Sequence, residues 1–236
     1  MERGRGRAVR VVSIALLAAA SLTAAEAQSP PAQPAAAPAA PAAPAAAAAP
    51  EPQHPGDAVH GKAISYTCLG CHGIQDYKNA YPMYSVPELR GQNPEYLVAA
   101  LHGYRDGDRS HITMHSQTES LTEQDMADVA AYLAGTPLKA GAKAEGSLPQ
   151  AAQVCVACHG QDGVAVAPMY PSLAGQHEDY IERALNEYRH GGRKNPIMKQ
   201  FAGALNDEDV AAIAAYFSRQ TPPLATEPRP STRLSE

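Results

Sequence analysis

Two copies of one phrase, CLGCHG from Cys68 and CVACHG from Cys155, contain all four cysteines of the 236-residue chain. In Cys68-Leu69-Gly70-Cys71-His72 the thiols stand three residues apart, about one helical turn, and so project to the same side. Each can close a thioether on one vinyl group of a haem, and the adjacent imidazole then faces the iron. This is the c-type haem attachment signature, and Cys155, Cys158 and His159 repeat it. Other uses of paired cysteines fit less well. A structural zinc site needs four ligands at tetrahedral spacing, and no second CxxC or HxxxH lies near either motif. A redox-active CxxC expects a βαβ context, and a structural disulfide accounts for neither the histidine nor its repetition. Two covalently bound haem c groups are therefore expected. The composition agrees: Trp is absent and Phe occurs twice, leaving a domain of roughly 80 residues few bulky side chains with which to fill a core.

The phrase belongs to a longer repeat. LRGQNPEYLVAALHGYRDGDRSHITM from Leu89 aligns without gaps on LAGQHEDYIERALNEYRHGGRKNPIM from Leu173, an offset of 84 that continues from LTEQDMADVAAYL onto LNDEDVAAIAAYF. The CxxCH motifs are 87 apart, so the first copy carries three extra residues between His72 and Leu89. Each copy reads as helical. Thr122 and Asn206 are N-cap residues followed by acids in the first turn. Met126, Val129 and Leu133 form one stripe at helical spacing, matched by Val210, Ile213 and Phe217. Asn93-Pro94-Glu95 opens a further helix with proline in its first turn. No segment alternates as a half-buried strand does. The fold is expected to be all-α: two homologous domains at 56–137 and 138–222, joined near 136–145, with a flexible tail at 223–236.

The sixth iron ligand decides what such a haem can do. Met198 lies 39 residues after His159 and Met114 lies 42 after His72, each in the loop before the closing helix, where the chain can return to the far face of the ring. The expected axial pairs are His72 with Met114 and His159 with Met198, a closed coordination of relatively high potential. Around Met114 the sequence SHITMHS leaves His111 and His115 as competitors. Met83 and Met169, in two PMY triplets 11 and 10 residues past the histidines, have too little chain to cross and are placed near the haem edge. Tyr96, Tyr104, Arg105 and Arg109 recur as Tyr180, Tyr188, Arg189 and Arg193. Helix-end arginines are ordinarily solvated, but haem propionates need partners that arginine supplies well. The tyrosines stay open between the domain interface, a propionate bond and core packing. His54, His60, His102, His177 and His190 read as solvated surface. No nucleophile elbow or phosphate loop is present.

At the N-terminus, Arg3, Arg5, Arg7 and Arg10 precede an apolar run at 11–25, shorter than the ~20 residues of a membrane span. Ala25 and Ala27 then mark a signal peptide at 1–27 and a periplasmic product; retention of the run would leave a membrane tether. Residues 28–55 collapse to Ala and Pro, a semi-extended disordered linker. From 56 to 137 there are 5 Lys+Arg against 10 Asp+Glu, and beyond that 10 against 11. The acidic first domain is expected to turn toward a basic docking patch, and nucleic acid is excluded as a partner for an exported, net-negative chain.

The paired CxxCH domains, SLAGQHEDYI, the RKNPIM loop and the LNDEDVAAIAAYF helix resemble cytochrome c4, the dihaem class I c-type cytochromes of bacterial periplasm, over about 56–220 and most closely in the second domain. The first domain departs: no Asn-Pro precedes Met114. The resemblance implies tandem class I cytochrome c-like domains, each a small helical bundle around its haem, packed as a pseudo-symmetric pair. It also implies an electron carrier rather than an enzyme, with redox proteins as donors and acceptors: quinol–cytochrome c reductase, a terminal oxidase or a dehydrogenase. Two other functions stay open: an electron-accepting subunit of a dehydrogenase complex, and a dihaem peroxidase-like enzyme with a displaceable iron ligand.

Overall fold

Capping residues written into each repeat set where its helices begin. In the computed structural model, residues 55–80 and 83–228 are described, and all lie in one structural unit. The leader and linker expected at 1–55 fall outside them, save Pro55. The first repeat builds α1 (Ala58–Ile64), α2 (Leu69–His72), α3 (Pro94–Arg105), α4 (Ile112–Thr118) and α5 (Glu123–Ala134). The second builds a 3₁₀ turn at Gln150–Ala152, then α6 (Val156–His159), α7 (Glu178–His190), α8 (Pro196–Gly203) and α9 (Asp207–Ser218). Among the described residues there is no strand, only isolated bridges, so the chain is all-α. Thr122 with Asp125, and Asn206 with Asp209, close reciprocal capping boxes at the starts of α5 and α9; each satisfies backbone N–H groups that the helix cannot.

Each repeat has its own core. Leu69, Leu97, Val129 and Leu133 cluster in the first; Ile181, Leu185, Ile213 and Phe217 cluster in the second. The stripes predicted on α5 and α9 are the buried faces. The repeats differ at their N-terminal ends. In the first, Asp57 caps α1, accepting from Val59 N and His60 N. That helix crosses α5 so closely that a Cβ on Gly61 would sit 2.0 Å from Asp128 O. In the second, Pro149 and Gly146, with φ of +77°, leave only the 3₁₀ turn, which packs on α9.

Several surface expectations change in the folded chain. His60, His102 and His177, expected as solvated, each face a carboxylate: Asp128 at 2.7 Å, Glu123 at 2.6 Å and Glu88 at 3.3 Å. Arg105 and Arg189 pair with Glu123 and Asp207, tying α3 and α7 to the first turns of α5 and α9. Part of the segment expected as a tail is docked. Leu224 is buried, and Ala225 exchanges both backbone hydrogen bonds with Arg90 of the first repeat. Thr226 Oγ1 donates to Glu88 beside it. A buried leucine flanked by these bonds fixes the segment in place.

Candidate haem sites

The two CxxCH motifs fold alike. Cys68 and Cys155 precede a single helical turn, α2 and α6, and His72 N and His159 N donate back to the cysteine carbonyls at 2.9 and 3.0 Å. None of the four cysteines is in a disulfide. Burial pushes the Cys68 and Cys155 thiols above their ordinary pKa, as expected of half-buried sulfur without a nearby cation.

Each histidine is held by one backbone carbonyl. The Nδ1 atoms of His72 and His159 lie 3.0 Å from Pro87 O and 2.9 Å from Pro171 O. A carbonyl only accepts, so Nδ1 carries the proton and Nε2 keeps its lone pair for a metal. Burial holds both imidazoles below their usual pKa, which keeps that lone pair unprotonated near neutrality.

A cavity opens beside each motif. The larger, about 460 Å³, is walled by Cys155, Cys158, His159 and Met198; the smaller, about 100 Å³, by Cys71, His72 and Met114. The fold thus gathers each predicted histidine and methionine around one space. Met114 and Met198 occupy the first turns of α4 and α8, and both are half-buried. Asn195 caps α8, its Oδ1 accepting from Met198 N at 3.0 Å. His111, the equivalent residue, caps α4 by accepting from Met114 N through Nδ1 at 3.2 Å. The missing Asn of the first repeat is therefore replaced in function by a histidine. His115 turns its Nδ1 to Tyr104 O instead. Met83 and Met169 are exposed, and Met169 borders the larger cavity.

Arg109 and Arg193 meet where the repeats touch, in an antiparallel bridge flanked by bonds from Ser110 N to Gly192 O and from Lys194 N to Asp108 O. Each guanidinium lies over two tyrosines of its own repeat, Tyr96 and Tyr104 or Tyr180 and Tyr188. The tyrosines thus flank the arginine pair, and they also line the two cavities. Burial pushes the Tyr180 phenol up to about 12, so it stays neutral. Arg193 also pairs with Glu187 at 2.6 Å. The position matching Glu187 in the first repeat is Gly103, and among the described residues Arg109 has no carboxylate partner. A guanidinium that borders both cavities without a counter-charge suits an anionic group such as a propionate. Paired thiols, a lone-pair nitrogen, a thioether and this cation fit haem c.

The cytochrome c family model matches residues 58–137 and 146–220. Cytochrome c4 of Pseudomonas aeruginosa is 34% identical over 178 residues, which cover 68% of this chain and 87% of that protein. This chain belongs to the cytochrome c4 family. It is a dihaem electron-transfer cytochrome with two covalently bound haem c groups, one for each CxxCH pair. Reduced recombinant cytochrome c4 from Pseudomonas stutzeri has a similar crystal structure, with a TM-score of 0.55 and 28% identity over 70% of this chain and 99% of that one. A thiosulfate dehydrogenase electron acceptor from Stutzerimonas stutzeri is 32% identical over 169 residues, 64% of this chain and 77% of that protein.

Two residues at the heart of the interface between the repeats were not singled out from the sequence. Gln92 and Gln176 are buried, and each bonds across to the other repeat. The signal was present as the Gly-Gln shared by LRGQ and LAGQ at the 84-residue offset.

Proposed function

We propose that the chain is a periplasmic electron carrier in a respiratory chain, taking electrons from a quinol–cytochrome c reductase or a dehydrogenase and delivering them toward a terminal oxidase. The axial ligands in this reading are His72 and Met114 in the first repeat and His159 and Met198 in the second. One observation carries it: each cavity is walled by a histidine whose Nδ1 is engaged by a backbone carbonyl, which leaves Nε2 available to a metal, and by a methionine from a capped helix. When bound, each haem iron supplies a one-electron couple. The chain's own residues do the rest. The cysteines fix the group by thioethers, the Pro87 and Pro171 carbonyls orient the imidazoles, and the caps at His111 and Asn195 hold the sulfurs in place. His–Met ligation on both sides leaves no iron position for a substrate, which favours a carrier over a peroxidase.

A second reading is the electron-accepting partner of a dehydrogenase, favoured by the relative named as a thiosulfate dehydrogenase electron acceptor. Reductive titration of the mature protein under CO tests the first reading. The expected result is two one-electron steps, a far-red sulfur–iron band in the oxidised form and no CO adduct in native buffer. A CO adduct at either haem would instead favour the peroxidase-like enzyme, and stable co-purification with a catalytic chain would favour the dehydrogenase subunit.

A further inference from the structure

The carbonyl that holds each proximal histidine belongs to a peptide group whose N–H is read by the opposite repeat. Pro87 O accepts from His72 Nδ1, and the N–H of the same peptide, Glu88 N, donates to Gln176 Oε1 at 3.0 Å. Pro171 O accepts from His159 Nδ1, and Ser172 N donates to Gln92 Oε1 at 2.8 Å. Each glutamine closes a ring by donating from Nε2, Gln176 to Glu88 O at 2.9 Å and Gln92 to Ser172 O at 3.0 Å. Each Oε1 also accepts from the next backbone N–H, that of His177 or Asn93, which fixes the orientation of the amide. The two arrangements are related by the 84-residue offset at the prolines, the residues after them, the glutamines and the residues that follow, while the histidines stand 87 apart; both glutamines are at most 4% exposed. Gly91 and Gly175, with φ of +92° and +66°, turn the chain just before each glutamine.

We propose that Gln92 and Gln176 tune the reduction potential of the haem in the opposite repeat: Gln92 acts on the His159 haem, and Gln176 on the His72 haem. They are positioning residues acting through a peptide. An acceptor on the peptide N–H polarises its carbonyl, which then accepts more strongly from the histidine Nδ1–H. A stronger bond there makes the imidazole a more basic ligand, and that favours the oxidised iron. The direction is therefore fixed: removing a glutamine raises the potential of the haem across the interface. The proposal rests on His72 and His159 being the axial ligands.

The test is the pair Gln92→Leu and Gln176→Leu in the full dihaem protein, with both midpoints measured and the histidine Nδ1–H resonances followed by NMR in the reduced state. Gln92→Leu is expected to lower the oxidised-to-reduced ratio of the His159-side haem about threefold at a given solution potential, which is a rise in its midpoint of about 28 mV at 59 mV per tenfold. It should also move the His159 Nδ1–H resonance upfield and leave the His72 side within error; Gln176→Leu should do the mirror image. Gln92→Glu keeps an acceptor for Ser172 N and about the same volume, so it should show no rise even if the leucine variant folds poorly. Equal shifts at both haems, a shift only on the variant's own side, or unchanged midpoints would overturn the relay. If the wild-type protein shows no haem-shifted imidazole from His72 or His159, the axial assignment falls, and the relay falls with it.

Discussion

His111 stands where the second repeat has Asn195, and both accept from the backbone N–H of a methionine three residues on. If capping is the role of His111, His111→Asn should leave domain stability and the far-red band unchanged. His111→Ala should cost about 1 kcal/mol in denaturant unfolding of the first repeat, the usual loss when a cap is truncated. Were His111 an iron ligand instead, the asparagine variant would alter the spectrum. SHITMHS named the competitors but could not separate them. Sequence shows neither that His111 Nδ1 is used at a helix start nor that His115 is turned to Tyr104 O. The arginines divide in the same way. Arg105 and Arg109 look alike as helix-end cations, yet one ties α3 to α5 through Glu123 and the other lies between tyrosines at the interface.

The helices themselves were largely legible. Caps, the proline at the start of α3 and the apolar stripes on α5 and α9 are local features, and local features act through the backbone within one or two turns. What local signals do not carry is the crossing of α1 over α5. Gly61 looks like a poor helix residue, worth about 1 kcal/mol less than alanine. With Asp128 O only 2.0 Å from the position of a Cβ, Gly61→Ala should nevertheless destabilise the first repeat, by about 1–3 kcal/mol as an overpacking change. A backbone oxygen in a helix cannot swing aside as a side chain can. Separate thermal transitions for the two repeats, or a urea titration read at the His72 haem, would check it; a stabilised variant would mean that α1 can slide on α5.

Across the whole molecule, polar side chains join the two repeats. Asp179 accepts from Lys78 and Ser85, Asn93 donates to Tyr170 O, and His177 meets Glu88. The bond to Glu88 raises the His177 pKa. A raised histidine stabilises the folded state fully below its unfolded value, about pH 6.5, and the gain is lost as pH rises through the folded value. The docked pair should therefore be tighter at pH 5.5 than at about pH 8, and His177→Gln should remove that difference. Denaturation midpoints or hydrogen exchange at Glu88 across that range would show it, and a variant with the same pH profile as the wild type would exclude the pair as the cause.

Two CxxCH phrases and an 84-residue repeat were enough to establish two haem-bearing helical domains, because covalent attachment and helix capping depend on residues close together in the chain. The way the domains face each other depends on residues far apart. Gln92 and Ser172 are 80 positions distant, and Gln176 and Glu88 are 88, so no short-range pattern encodes their contact. Only folding brings each glutamine against the peptide that orients the other domain's histidine, and only there does an exposed-looking polar residue become a buried partner.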